Sequence, residues 1–229
     1  MTQKILSFLR RIPVTTGTTV AMIAFFAATA LQAGSVANNI RGSDLAAAME
    51  LYGPLAAELP LGPLRLLSSA FMHRGADHLF ANAALLLLMG GLLERSIGSR
   101  LYALIWFTCA MGASAAILQF DFYTYTVGAS GVAYGVMALY ALYYWRAYRK
   151  LVSPLLLIAL NLGYTFLTPG VSVWAHLGGL AAGGLLVAAA CVAKTRKGFV
   201  ACVWLLCVAV VAWSGVNLWE FSTSVVPVR

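Results

Sequence analysis

Long apolar runs alternate along this chain with short polar, basic breaks, and the runs have a telling length: a helix needs ~20 mostly apolar residues to cross the hydrocarbon core of a bilayer. Val14 to Ala33 is the first such run. Asp77 to Ser96, Leu101 to Phe120, Tyr125 to Trp145, Leu151 to Leu167, Val171 to Ala193 and Val200 to Trp219 follow, so the pattern predicts seven spans. Between the first two lies a mixed stretch, Ser35 to Ala76, with Arg41, Asp44, Glu50, Glu58, Arg65, Arg74 and three prolines. It is too polar to span, and short amphipathic runs such as Leu45 to Leu51 predict a long loop lying on the membrane surface. Ala28-Thr29-Ala30, behind Lys4, Arg10 and Arg11, also has the form of a signal-peptidase site; the alternative to a retained first span is a cleaved one, which leaves the later topology unchanged.

Composition puts the chain in one class. Hydrophobic residues make up 62% of the 229 and charged residues only 10%, with a mean hydropathy of +0.86. This is the balance of an all-α polytopic membrane protein rather than a soluble domain. A net charge of +8 would suit a nucleic-acid partner, but the basic residues sit in the breaks between apolar runs, where they orient membrane helices, and no nucleic-acid surface is implied. The four cysteines, Cys109, Cys191, Cys202 and Cys207, lie inside apolar runs without metal-ligand spacing and read as small buried hydrophobes.

Charge also sets the orientation. With seven spans and a cytoplasmic N-terminus, eleven of the fifteen Lys and Arg residues, from Lys4 to Lys197, fall on the cytoplasmic side. Arg41, Arg65, Arg74 and Arg229 fall on the other, three of them in the long loop, so the N-terminus is expected inside and the C-terminus outside. The expected organisation is a cytoplasmic N-terminus over residues 1–13, a six-helix core over 14–199 with a long first loop at 35–76, and a seventh span with an external C-terminus over 200–229.

Orientation gives each polar residue a depth. Asn82, Ser130 and His176 each lie five residues past the expected outer end of a different span, which at 1.5 Å per residue is ~8 Å below the surface. Polar side chains in a membrane are rare and face the bundle interior, so three at one depth define a candidate site. His78, four residues before Asn82, shares its helix face. The chemistry that fits is nucleophilic acyl transfer: Ser130 needs a base, and His176 is the histidine on another segment able to supply one. No Asp or Glu shares that depth, so a two-residue dyad is expected. His78, Asn82 and the Ser130 backbone N–H are candidate donors to a developing oxyanion.

Each feature has a plainer reading. Gly128-Ala129-Ser130-Gly131 in a membrane helix is by itself ordinary helix packing, and a lone intramembrane histidine serves equally as a structural hydrogen bonder or part of a proton path. His73 and His78 lie five residues apart and only loosely share a face, so a metal site is not expected. Joint occurrence on alternate spans is what favours catalysis. Gly131 with Gly135, and Gly179 with Gly183, form GxxxG patterns that let the serine and histidine helices touch, and Tyr134 lies one turn below Ser130, where its ring can pack on the imidazole.

Taken together, Gly128-Ala129-Ser130-Gly131, His73 followed after four residues by His78-Leu79-Phe80-Ala81-Asn82, and Ala175-His176-Leu177-Gly178-Gly179-Leu180 resemble the rhomboid intramembrane serine proteases, over about Gly62 to Ala193. The resemblance implies a rhomboid-like six-helix bundle with one additional C-terminal transmembrane helix. It implies that Ser130 is the nucleophile, His176 its base, His78 and Asn82 oxyanion donors, Gly128 the glycine before the nucleophile and Tyr134 the residue stacked on the histidine. The loop before His73 would be the family's membrane-embedded first loop, and the fifth span with Thr168 to Ser172 the gate and cap. Two features depart from the family's pattern: Leu64-Arg65 stands where a Trp-Arg pair is common, and the seventh span is an addition.

The implied reaction is peptide-bond hydrolysis in or beside the transmembrane helix of another membrane protein, in a lipid bilayer, with no cofactor. A substrate helix with weak helix formers near the outer face is favoured, because the scissile carbonyl must first leave its helical hydrogen bond. The implied location is a bacterial inner membrane with the site opening to the external side; no oligomeric state is implied. The alternatives are a catalytically inactive relative that binds membrane helices and a small transporter, against which stand the presence of both Ser130 and His176 and the lack of an internal repeat or buried midplane acid.

Overall fold

The computed structural model describes residues 2–224 as an all-α polytopic membrane protein. Arg229, counted on the external side above, and the end of the C-terminal segment lie outside the described residues. The helices are α1 (Thr2–Leu9), α2 (Pro13–Ala33), α3 (Asp44–Met49), α4 (Gly53–Glu58), α5 (Arg65–Ser68), α6 (Gly75–Leu85), α7 (Gly91–Ile97), α8 (Ser99–Phe120), α9 (Ser130–Tyr148), α10 (Val152–Leu167), α11 (Val173–Val192) and α12 (Arg196–Ser224). A π-turn at Leu86–Gly90 joins α6 and α7 into one helix, Gly75–Ile97.

Among the described residues five helices are long and apolar enough to cross a membrane: α2, the joined α6–α7, α8, α11 and α12. The other two expected spans fall short for different reasons. α10 has only 16 residues, and the five tyrosines and Arg146 of α9 depress its hydropathy. α9 is the central helix, packed by α8, α10, α11 and the π-turn, so much of its surface meets protein rather than lipid.

Three boundaries differ from the sequence pattern. α9 begins at Ser130, not Tyr125, because the preceding residues are tied elsewhere: Thr126 and Leu51 exchange both backbone hydrogen bonds, at 2.8 and 3.0 Å. The depth count that placed Ser130 five residues inside a helix is therefore wrong, since Ser130 is the helix's first residue. α12 begins at Arg196, whose guanidinium donates to the Ile97 carbonyl at the end of α7 (2.8 Å). The 35–76 stretch is not a simple surface loop but a folded subdomain. Ser43 caps α3 by accepting the Ala46 N–H, and the buried Arg65 guanidinium donates to the carbonyls of Ala47 and Glu50, both at 2.8 Å, so the arginine anchors this region without a neighbouring tryptophan.

A buried carboxylate organises the opposite end of the bundle. Glu94, 1% exposed, accepts the Val14 and Thr15 N–H groups at 2.9 and 2.8 Å and so caps the N-terminus of α2 from eighty residues away. Helix N-termini carry unsatisfied N–H groups and partial positive charge, which this anion answers.

Candidate active site

Ser130 is placed by a strained approach. Gly128 has φ +123°, a conformation side chains rarely adopt, and a Cβ there would lie 2.6 Å from His78 Cε1, so only glycine fits. Its N–H donates to the Ser69 carbonyl (2.9 Å), and the next N–H, Ala129, donates to His73 Nε2 (3.4 Å). With Nε2 accepting, His73 carries its proton on Nδ1, facing the Phe71 carbonyl at 3.3 Å. Burial, reinforced by nearby His78, pushes His73 down to about 3, which keeps it neutral for this role. Asn39, fully buried, holds the same corner: its amide donates to the His73 carbonyl and to Thr29 Oγ1, both at 2.8 Å, and accepts the Gly75 N–H at 3.0 Å.

His176 reaches Ser130 because α9 and α11 almost touch. A Cβ on Gly179 would collide with the Gly131 backbone carbonyl, and one on Gly183 would come within 2.5 Å of the Gly135 carbonyl oxygen. Ser172 starts α11 by accepting the Ala175 N–H, one residue before the imidazole. The result is a hydrogen bond of 2.6 Å between Ser130 Oγ and His176 Nε2, with the Tyr134 ring stacked on the imidazole at 4.4 Å and 20°. His176 Nδ1 meets Thr165 Oγ1 of α10 at 2.7 Å, and Thr165 Oγ1 also meets Tyr134 Oη at 2.6 Å.

These groups open on a cavity of about 750 Å³ between α6, the 121–129 segment, α10 and α11. Ser130, His176, His78, Asn82 and Tyr134 all line it, so every candidate residue except Gly128, which lies behind the His78 ring, faces one space. Asn82 spends one amide hydrogen on the His78 carbonyl (3.1 Å), leaving a second donor. As the first residue of α9, Ser130 offers an N–H with no intrahelical acceptor. A serine hydroxyl bonded to an imidazole, beside such donors, is equipped for acyl transfer. Among the described residues no group of three His, Cys, Asp or Glu side chains is arranged to hold a metal ion.

Three contributors carry no sequence signal of their role. Thr165 is eleven residues from His176 on another helix, Asn39 sits in a polar turn, and His73 shows only its spacing from His78. None is marked by periodicity, because each acts through a contact between segments.

An all-α bundle of apolar helices, with a cavity sunk between them that is lined in part by polar side chains, defines an integral membrane protein. The Rhomboid domain matches residues 61–194, more than half of the chain, and the chain belongs to the rhomboid family. It is similar to RHOMBOID-like protein 4 of Arabidopsis thaliana, 36% identical over 129 residues that make up 53% of this chain and 32% of that protein. It is also similar to the Rhomboid protease GluP of Bacillus subtilis, 34% identical over 133 residues, 55% of this chain and 25% of that protein. RHOMBOID-like protein 1 of Arabidopsis thaliana is 33% identical over 129 residues, 53% and 33% of the two chains. The matched stretch thus spans about a third or less of each of these relatives.

Proposed function

We propose that the protein is an intramembrane serine endopeptidase that hydrolyses peptide bonds in or next to the transmembrane helices of other membrane proteins. The observation that carries this reading is the 2.6 Å contact of Ser130 Oγ with His176 Nε2 at the floor of a cavity large enough for an extended peptide segment. Ser130 Oγ attacks the scissile carbonyl carbon while Nε2 takes its proton. The tetrahedral oxyanion is met by the Ser130 N–H, His78 and the free amide hydrogen of Asn82. Collapse breaks the C–N bond as the imidazolium returns its proton to the leaving amine. Water then enters, gives a proton to Nε2 and attacks the acyl carbon; the C–Oγ bond breaks and Ser130 regains its hydrogen. Each oxyanion donor removed costs ~10²–10³ in rate.

The cavity opens at the end of the bundle that carries the 35–76 subdomain, while Arg95, Arg100, Arg146 and Lys194 lie at the other. By the positive-inside rule the basic end is cytoplasmic, which favours an N-terminus inside and a cavity mouth on the external side. This reading needs no cofactor. Purified protein in detergent, given a fluorophosphonate and a model transmembrane substrate, is expected to label and to cleave, while Ser130→Ala does neither and His176→Ala loses ~10²–10⁴-fold, the worth of a catalytic base. Cleavage that persists in Ser130→Ala would falsify the reading, and solute flux surviving that substitution in liposomes would favour a transporter.

A further inference from the structure

We infer that Thr165 is a positioning residue for the Ser130–His176 pair: its hydroxyl holds His176 as the Nδ1–H tautomer and aims the bare Nε2 at Ser130. This rests on the reading of Ser130 as nucleophile. Thr165 is 1% exposed, and apart from Pro154 it is the one fully buried residue of α10, most of whose other side chains are exposed.

Counting hydrogens assigns the tautomer. A threonine hydroxyl has one hydrogen to give and two lone pairs. The Asn161 carbonyl, 2.8 Å away, only accepts, so it receives the Thr165 hydrogen. Tyr134 Oη, at 2.6 Å, donates to one lone pair. The remaining lone pair faces His176 Nδ1 at 2.7 Å, which must therefore bear the proton. A neutral imidazole carries a single hydrogen, so Nε2 is unprotonated and accepts from Ser130 Oγ at 2.6 Å. All four contacts are satisfied together. Turning the Thr165 hydrogen toward Nδ1 instead leaves the Asn161 contact without a hydrogen and puts the imidazole proton on Nε2, where it points at the serine and cannot take a proton from it.

In serine-protease triads a carboxylate orients the base. Here a neutral hydroxyl does so, which suits a low-dielectric site where a lone carboxylate is costly to bury. Because Thr165 belongs to α10 while the serine and its base belong to α9 and α11, the base is oriented only while α10 is seated against both.

The test uses the full chain in detergent micelles, as wild type, Thr165→Val and Thr165→Ser, with kcat and KM on a model transmembrane substrate and nitrogen-15 NMR of the histidine ring nitrogens. Three histidines make the spectrum tractable, and His176→Gln identifies the signal. Thr165→Val, which keeps the shape and removes the hydroxyl, is expected to lower kcat by roughly ten- to a hundredfold with KM unchanged, a part of what a general base contributes. Thr165→Ser is expected to restore most of it. Wild-type His176 should show a protonated Nδ1 and a bare Nε2, and the valine variant a mixture. A wild-type spectrum with the proton on Nε2, or a folded valine variant turning over at the wild-type rate, overturns the inference. If wild type neither labels nor cleaves, the protease reading fails, and the wild-type ring spectrum still decides whether Thr165 holds the imidazole as inferred.

Discussion

Gly128 and His73 act as a pair on the backbone that presents Ser130. Gly128→Ala forces a Cβ into the His78 ring and a side chain into a positive-φ conformation, at a cost of about 1–3 kcal/mol. Thermal unfolding in detergent is expected to show that loss, together with a fall in kcat as Ser130 shifts; an alanine variant with wild-type stability would mean the loop relaxes freely. His73 gives a pH dependence with a definite sign. Its folded value, about 3, lies below the ordinary 6.5, so between those limits the unfolded chain binds a proton that the folded protein does not. The stability His73 confers is complete above about pH 6.5 and is lost as pH falls toward 3. Unfolding temperatures measured across that window should fall more steeply for wild type than for His73→Gln, and parallel curves would show that His73 is not the titrating group. Both residues stood out in the sequence by their spacing, but the sequence could not show that His73 serves the Ala129 N–H rather than a metal or the reaction, because that contact spans 56 residues.

At the scale of elements, α10 is the weak member. Leu157, Ile158 and Leu162 are only partly buried against the core, and Thr165 makes the polar contact at its far end. Leu162→Ala loosens this seating and is expected to lower kcat in the same manner as Thr165→Val. If both act by freeing the imidazole, the double variant loses little beyond the valine variant alone, whereas independent effects multiply. A double-mutant cycle on kcat decides between them. The α9–α11 contact is the opposite case, since its glycines leave backbone against backbone and no room for adjustment. That contact was legible as two GxxxG patterns; the start of α9 was not, because the apolar pattern runs on through residues 125–129 while a bridge to Leu51 withholds them from the helix.

Across the whole molecule, α12 braces the subdomain that borders the cavity. Leu218 packs in a cluster with Leu51, Ala56 and Leu66, and the Phe221 ring meets Phe122 at 4.6 Å. The last helix thus bears on the 35–76 subdomain and on the segment leading to Ser130. Leu218→Ala is expected to cost roughly 2–5 kcal/mol locally and to speed limited proteolysis within residues 35–74, with no change in the basic end of the bundle. Unchanged proteolysis would confine α12 to a packing role against α8.

The sequence by itself determined the class, the order of the apolar helices and the rhomboid resemblance of the residues around Ser130 and His176. It did so because lipid forces each backbone segment to satisfy its own hydrogen bonds, so hydropathy along the chain reads out helices directly. Only the tertiary structure decided the partners of those residues: Thr165 on the imidazole, His73 and Asn39 behind the serine loop, Glu94 on the first span, Arg65 inside the folded loop. Each is a single polar group meeting another far away in the chain. Such a contact repeats with no period, and its worth comes from burial that exists only once the helices have packed.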